Sequence, residues 1–217
     1  MHMAASGTVP DFSTTRRPPP PGELSYEAFL DWCDEDTLAE WVRGRVVMSS
    51  PAALRHQDLG TFLLIIMRFW VRAHDLGVVI APPFQMRLPP PINTGREPDI
   101  IFVANAHLDR LRQTYLDGPA DLVVEITSPE SIGRDRGDKF VEYEQAGIPE
   151  YWLIDPERRQ VEFYQLEADG RYRAAVIGAS GVYESPALVG LRLPVDWLWQ
   201  DPLPNDLDAL RSLGILG

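Results

Sequence analysis

An apolar run that contains a single carboxylate places the strongest constraint on the fold of this chain. Residues 122–126 read Leu-Val-Val-Glu-Ile and follow the turn residues Asp117-Gly118-Pro119. A short apolar run bounded by turn residues is typical of a strand that is covered on both faces. An ionised and unpaired carboxylate in its middle, Glu125, would cost several kcal/mol. The sequence therefore predicts a covered sheet and a partner for Glu125.

The order of the other elements favours an α/β domain with a mixed central sheet flanked by helices. Ser25 is a plausible N-cap of a short helix, and residues 38–48 alternate around Arg43-Gly44 as a hairpin would, with Glu40 on its first strand. Residues 56–75 carry apolar side chains at helical spacing. The remaining expected elements are a strand at 78–88 that Pro82-Pro83 interrupts, strands at 99–103 and 151–154, and a helix from Asp135 to about Ala146. A meander of strands at 160–166, 171–177 and 182–189 and a helix at 205–213 follow.

Turn and cap residues predict where these elements end. We expect Gly77 to stop the long helix, Asp135 to cap the helix that follows the apolar strand, and Gly147 to end that helix. Asn93-Thr94-Gly95 has the composition of a loop.

Length and charge limit the number of domains and the class of partner. The 217 residues, 45% of them hydrophobic, can bury one sizeable core, so we expect a flexible proline-rich arm over 1–22 and a single domain over 23–217. Lysine and arginine number 20 against 32 acidic residues, a formal net charge of −12. This balance argues against a protein that coats nucleic acid, and any DNA contact must be local.

Cysteine usage and hydropathy indicate a cytoplasmic protein. The single cysteine, Cys33, cannot form an intramolecular disulfide, which fits a reducing compartment. The most apolar stretch, Phe62 to Val71, is interrupted by Arg68 and has about half of the ~20 residues that span a bilayer. We therefore expect no transmembrane segment and no secretory signal.

Asp99 and Glu125 form a candidate metal site. Asp99 follows Pro98 and opens a strand; if this strand runs antiparallel beside 122–126, its beginning lies next to the other strand's end. Two carboxylates so placed repel each other unless a hard cation lies between them, and Mg²⁺ prefers such oxygen ligands. An ion pair between Glu125 and an arginine is the structural alternative.

Lys139 is the only lysine among the 20 lysine and arginine residues. The chain thus uses arginine almost everywhere in place of lysine. A lysine retained against this preference suits a role that needs a compact ammonium with three donors, although one surface lysine could also arise by chance. As a hypothesis, Mg²⁺ or Mn²⁺ held by Asp99 and Glu125 polarises a phosphate, Lys139 orients the attacking water or neutralises developing charge, and Glu40 completes the metal's shell.

These residues lie in segments through which the chain resembles the Uma-two family, a bacterial family in the PD-(D/E)XK nuclease superfamily. The segments are Ala-Glu-Trp-Val-Arg-Gly-Arg-Val-Val-Met-Ser-Ser-Pro at 39–51, Glu-Pro-Asp-Ile-Ile-Phe-Val at 97–103, Pro-Ala-Asp-Leu-Val-Val-Glu-Ile-Thr-Ser-Pro at 119–129, and the most specific stretch at 134–156, Arg-Asp-Arg-Gly-Asp-Lys-Phe-Val-Glu-Tyr-Glu-Gln-Ala-Gly-Ile-Pro-Glu-Tyr-Trp-Leu-Ile-Asp-Pro. The resemblance implies a restriction-endonuclease-like core, a Mg²⁺-dependent endonuclease that acts on DNA, and active-site positions at Glu40, Asp99, Glu125 and Lys139. The superfamily's Glu-x-Lys tripeptide is absent because Thr127 stands at its third position, so Lys139 on the next helix would replace that lysine.

Four further polar residues lie near these positions in the sequence. Arg134 and Arg136 flank Asp135 and are candidates for holding a nucleic-acid backbone, or else solvated surface charges. His56 fits a polar cluster at a helix start better than a catalytic role. Tyr143 lies one helical turn after Lys139, where it is expected to pack in the core, to pack along the lysine stem or to donate a hydrogen bond to substrate.

Two other functions stay open at this point. One is a catalytically silent interaction module that keeps the nuclease fold, as a partner in a mobile-element or defence system, and the net charge of −12 mildly favours it. The other is hydrolysis of a small phosphoester. A homodimer, which we expect, would concentrate arginines along one face for DNA.

Overall fold

The computed structural model describes Pro19 and residues 21–34, 37–49, 51–128 and 131–216, except for the side chains of Val176 and Ile177. The predicted arm at 1–22 lies outside the described residues apart from Pro19, Pro21 and Gly22.

The described residues form five α-helices and thirteen strands. The helices are α1 (Tyr26–Trp32), α2 (Leu54–Ala73), α3 (Ile132–Arg134), α4 (Phe140–Ala146) and α5 (Asp206–Ser212), with 3-10 turns at Asn105–Arg110 and Val195–Trp199 and a π-helical turn at Asp135–Lys139. The strands are β1 (Ala39–Val42), β2 (Arg45–Met48), β3 (Gly77–Ile80), β4 (Gln85–Leu88), β5 (Thr94–Arg96), β6 (Ile100–Ala104), β7 (Tyr115–Asp117), β8 (Leu122–Ile126), β9 (Glu150–Asp155), β10 (Gln160–Leu166), β11 (Tyr172–Gly178), β12 (Val182–Glu184) and β13 (Arg192–Pro194).

A six-stranded mixed sheet lies at the centre, in the order β11-β10-β9-β8-β6-β3. Strands β8 and β9 are parallel, whereas every other neighbouring pair in this sheet is antiparallel. The connection from β8 to β9 is the crossover through α3, the π-helical turn and α4, as a parallel pair requires. The predicted α/β class with a mixed central sheet is confirmed.

The two faces of β8 explain why its sequence is apolar throughout. Leu122, Val124 and Ile126 pack in one core cluster with the apolar face of α2, while Val123 packs in a second cluster with Tyr143 of α4. Because side chains alternate along a strand, Glu125 shares the face of Val123 and points to the α4 side. The predicted burial of this strand is confirmed, and its carboxylate lies under the helix that follows it.

A second, five-stranded sheet covers the α4 side in the order β2-β1-β5-β4-β7. The hairpin of β1 and β2 is confirmed, but the loop predicted at Asn93-Thr94-Gly95 is wrong, because Thr94 and Gly95 belong to β5, paired with β1 and β4. Gly95 is needed here for close packing: a Cβ at this position would lie 2.4 Å from Cε2 of Tyr26 on α1. A residue type that is typical of turns therefore marks a contact between elements.

Two predicted helix boundaries are also wrong. Helix α2 ends at Ala73, before Asp75, which adopts a positive φ of 50°, and Gly77 instead opens β3 against the backbone of Val103. Asp135 is not the N-cap of the helix that follows, because its backbone is already helical at the junction between α3 and the π-helical turn. Gly147 ends α4 with a φ of 77°, as expected.

The predicted meander stops after β11. Strand β12 pairs with β13 in a separate two-stranded sheet, so the long strand expected over 182–189 is wrong. The buried carboxylate of Glu150 accounts for this departure: it accepts hydrogen bonds from the Tyr183 and Ser185 hydroxyls and from the backbone N–H of Ala187. These donors hold the segment after β12 at the start of β9.

No helix in the described part of the chain is long and apolar enough to cross a membrane.

Candidate active site

A cavity of about 370 Å³ opens beside the N-terminal end of α2, between the start of β6 and the end of β8. All four residues that the sequence predicts as catalytic line this cavity, namely Glu40, Asp99, Glu125 and Lys139. The fold thus brings together, in one cavity, predicted residues that lie far apart in the sequence.

Strand pairing places Asp99 beside the end of β8. The predicted antiparallel pairing is confirmed, with Ile100 of β6 opposite Val124 of β8. The Oδ2 atom of Asp99 accepts a hydrogen bond of 2.7 Å from the backbone N–H of Ile126. This contact fixes the Asp99 carboxylate one residue beyond Glu125.

The ammonium group of Lys139 lies among three carboxylates. Its Nζ atom is 2.9 Å from Oε1 of Glu125, 3.1 Å from Oε1 of Glu40 and 3.3 Å from Oδ1 of Asp135. The Tyr143 hydroxyl donates a 2.7 Å hydrogen bond to the same Oε1 of Glu125. The partner predicted for the buried Glu125 is therefore a lysine and a tyrosine.

One ammonium shared by three carboxylates explains the direction of each pKa. Burial opposes the charge of Lys139, yet Glu125, Glu40 and Asp135 raise its pKa above the usual value, so it stays protonated. Burial raises the pKa of Glu125 well above its usual value. The charge of Lys139 opposes this rise, whereas the charges of Asp135 and Asp99 add to it. Burial also disfavours charge on Glu40, but Lys139 and Arg96 hold its pKa at about 2.

Glu40 uses both carboxylate oxygens in contacts with cations. Oε1 faces Lys139, and Oε2 accepts a 2.8 Å hydrogen bond from Nη1 of Arg96. Arg96 in turn makes a bidentate contact with Glu142 at 2.8 and 3.0 Å. Arg96 and Glu142 were not found from the sequence, in which an arginine after Asn-Thr-Gly looks like a residue in a loop.

Two more residues line the cavity: His56, which the sequence analysis considered but left out of catalysis, and Glu97, which it missed. Nε2 of His56, in the first turn of α2, lies 3.3 Å from Oδ2 of Asp99; burial opposes its charge, but Asp99 raises its pKa. Glu97 has a buried Oε1 atom without a hydrogen-bond partner among the described residues. Burial and the charge of Glu40 raise the pKa of Glu97 to about 7. A signal for Glu97 was available, because it stands directly before Pro98-Asp99.

The donor chemistry fits a hard cation. Each described contact of Asp99 is made by Oδ2, and each of Glu125 by Oε1, so one oxygen of each carboxylate is uncommitted. The carboxylates around the cavity outnumber its cations, and a divalent ion would offset the excess. Among the described residues, however, no three His, Cys, Asp or Glu side chains form a ready-made metal cluster. Two carboxylates with water ligands are the set that these residues offer.

The two arginines predicted to bind substrate lie in different surroundings. Arg134 lines the cavity, and its buried Nε atom has no hydrogen-bond partner in the part of the chain that is described. Nη1 of Arg136 lies 2.5 Å from Oε1 of the buried Glu162, away from the cavity lining. The structure thus brings Arg134, but not Arg136, to the predicted site.

Comparisons with known proteins bear on the family and the fold of the chain. The family model Uma2, described as "Putative restriction endonuclease", matches residues 26–196. Among solved structures, the chain is similar to a protein of Anabaena variabilis ATCC 29413 described as a "putative nuclease belonging to DUF820", with 15% identity, a TM-score of 0.67, and coverage of 81% of this chain and 97% of that chain. No curated protein matches the chain.

At 15% identity the likeness to the Anabaena protein shows the fold alone, whereas the family model spans most of the chain. The predicted resemblance is therefore confirmed, and the protein belongs to the Uma2 family of restriction-endonuclease-like nucleases.

Proposed function

We propose that the protein is a metal-dependent nuclease that hydrolyses phosphodiester bonds in DNA, with Mg²⁺ or Mn²⁺ held by Asp99 and Glu125. The observation that carries this proposal is the pair of adjacent carboxylates in one cavity, each with one oxygen that is uncommitted among the described contacts. A bound Mg²⁺ would polarise the scissile phosphate and make a bound water more acidic.

Other residues of the cavity would orient the metal-binding carboxylate and bind the phosphate. Nε2 of His56 and the N–H of Ile126 both hold Oδ2 of Asp99, which orients that carboxylate. Arg134 supplies a guanidinium without a carboxylate partner in the described ion pairs, and its chemistry suits a non-bridging phosphate oxygen.

Lys139 holds Glu125 in place and offsets its negative charge. An ammonium has three N–H donors, and three carboxylates lie at ion-pair distance from this one. The water-orienting role predicted from the sequence would therefore require one of these contacts to be released. Its high pKa excludes Lys139 as a general base at neutral pH.

A second candidate function is a catalytically silent interaction module. The formal net charge of −12 and the lack of a ready-made three-ligand metal cluster in the described ranges favour it. A nuclease function needs a local basic surface to bind DNA, and a homodimer would supply one by joining arginines from two copies.

The test compares two aspartates in equivalent surroundings. Asp99 accepts a 2.7 Å hydrogen bond from Ile126 at one end of the β6–β8 pair, and Asp121 accepts one of 2.7 Å from Ala104 at the other end. Each also contacts a histidine, but Asp121 lies outside the cavity lining. Asp121→Asn is therefore a matched control for Asp99→Asn.

Plasmid, linear and single-stranded DNA would be incubated with each protein and Mg²⁺ or Mn²⁺, and Mn²⁺ binding would be measured by calorimetry. We expect metal-dependent cleavage by the wild type and Asp121→Asn, and neither cleavage nor full Mn²⁺ affinity in Asp99→Asn. A folded wild type that neither cleaves DNA nor binds metal would refute the proposal and favour the interaction module. Turnover of a small phosphodiester without polymer cleavage would refute the DNA assignment.

A further inference from the structure

A closed ring of alternating charges lies behind the proposed site. Lys139 contacts Glu40, Glu40 contacts Arg96, and Arg96 contacts Glu142, all at 3.1 Å or less. Glu142 lies three residues after Lys139, so the helix backbone completes the ring. All four residues are 6% exposed or less.

The arginine is the fixed point of this ring. Arg96 is 2% exposed and uses Nε, Nη1 and Nη2 in contacts with two carboxylates. Thr94 of the same strand also donates a 3.3 Å hydrogen bond to Oε2 of Glu142. The planar guanidinium therefore sets the separation between Glu40 on β1 and Glu142 on α4.

This geometry decides how the ammonium of Lys139 is placed. The lysine stem is flexible, and its ammonium is a point charge that by itself selects no direction. Glu40 can hold it beside Glu125 only if Glu40 is itself held, and Arg96 engages the other oxygen of Glu40 at 2.8 Å. Glu142 prevents rotation of the guanidinium, because it binds the Nε and Nη2 edge.

We propose that Arg96 and Glu142 are positioning residues of the active site: through Glu40 they fix the Lys139 ammonium against Glu125. Glu40 accordingly belongs to this framework and not to the ligands of the cation. The catalytic part of this inference rests on the proposed nuclease function, whereas the placement of Lys139 can be tested without any activity.

The single lysine of the chain makes that placement directly measurable. Protein labelled with ¹³C-lysine gives one set of side-chain NMR signals, and an immobilised Lys139 shows two separate Hε shifts where a mobile one shows an average. The variants are Glu142→Gln and Arg96→Gln. The matched control is Glu144→Gln on the same helix, which loses a 2.7 Å ion pair with Arg171 outside the ring.

We expect separate Hε shifts in the wild type and in Glu144→Gln, and merged shifts in both ring variants. In DNA cleavage, kcat of the ring variants should fall on the order of 100-fold, with KM nearly unchanged, because the reacting groups are misplaced while the substrate contacts remain. Circular dichroism would verify that each variant is folded, and Glu142→Gln decides the question if Arg96→Gln does not fold.

Separate shifts retained in a folded Glu142→Gln variant would overturn the inference, as would full kcat in a variant whose shifts have merged. If the wild type cleaves no DNA, the proposed function fails, and the NMR comparison still decides whether the ring positions Lys139.

Discussion

Replacing Lys139 by methionine should destabilise the protein in a manner that depends on pH. Methionine keeps an unbranched stem for packing but removes the ammonium. Glu125, Glu40 and Asp135 would then lose the cation that lies within 3.3 Å of each of them. Arg96 would still pair with Glu40, whereas the described contacts of Glu125 would be reduced to the Tyr143 hydroxyl.

The expected loss follows from the number and burial of these contacts. At an effective dielectric constant of about 20, unit charges about 3 Å apart attract each other by about 5.5 kcal/mol. Part of that attraction only offsets the cost of burying the ammonium of Lys139, a residue that is 6% exposed. Removing one partner of a buried ion pair costs about 3–5 kcal/mol. At about 2–4 °C per kcal/mol for a protein of this size, Tm should fall by about 6–20 °C.

The sign of the pH dependence follows from the carboxylates. Burial already raises the pKa of Glu125 in the folded protein, and loss of Lys139 removes the charge that opposes this rise. A carboxylate whose folded pKa lies above its unfolded value destabilises the fold as pH rises through the folded pKa, and it is harmless below the unfolded pKa. The Tm deficit of Lys139→Met should therefore be large near pH 8 and shrink toward about pH 5.

Thermal unfolding by circular dichroism in EDTA, with wild type and variant compared at both pH values, would measure this deficit. Glu125→Gln provides the opposite change: it removes one negative charge and leaves Lys139 between Glu40 and Asp135. We expect it to be at least as stable as the wild type near pH 8. An equal Tm loss for Lys139→Met at both pH values, or none, would refute the electrostatic reasoning.

Three further outcomes are expected. Mn²⁺ should raise the Tm of the wild type in a thermal-shift assay, because a ligand that binds only the folded state stabilises it, and Glu125→Gln should not respond. Arg134→Gln should raise KM for DNA at unchanged Tm, whereas Arg136→Gln, which leaves a buried carboxylate without its cation, should lower Tm instead. Glu150→Gln should lower the free energy of unfolding, measured in urea, by about 1–3 kcal/mol. Both carboxylate oxygens of Glu150 accept hydrogen bonds, and in the variant an amide NH₂ would face the donors of one of them.

Local rules were enough to predict the centre of the fold and the pair of carboxylates. The apolar run at 122–126 requires cover on both faces, and antiparallel pairing with the neighbouring strand β6 brings Asp99 to the end of that run. Both inferences depend only on period-two alternation and on the geometry of neighbouring strands. The helix stop at Gly147 was also predicted correctly, because a glycine adopts the left-handed backbone conformation of a helix end without a steric penalty.

The sequence did not assign to the site the residues that act through long-range contacts. His56 reaches Asp99 from α2, and Arg96 reaches Glu142 across 46 residues of sequence. No spacing rule relates such positions, because the contact exists only after two sheets and a helix have packed. Composition was also misleading at Gly95, which has no Cβ because Tyr26 packs against it, and not because the chain turns there.

The sequence by itself determined which strand is buried, that a carboxylate within it needs a partner, and that Asp99 lies beside it. Only the tertiary structure decided which groups neutralise that carboxylate, that Glu40 is engaged by Arg96, and that Arg134 and not Arg136 lines the cavity. The physical reason is the range of the interactions: alternation and strand pairing act between neighbours in an element. Charge pairing in a buried site depends on distances of about 3 Å between side chains that packing alone brings together.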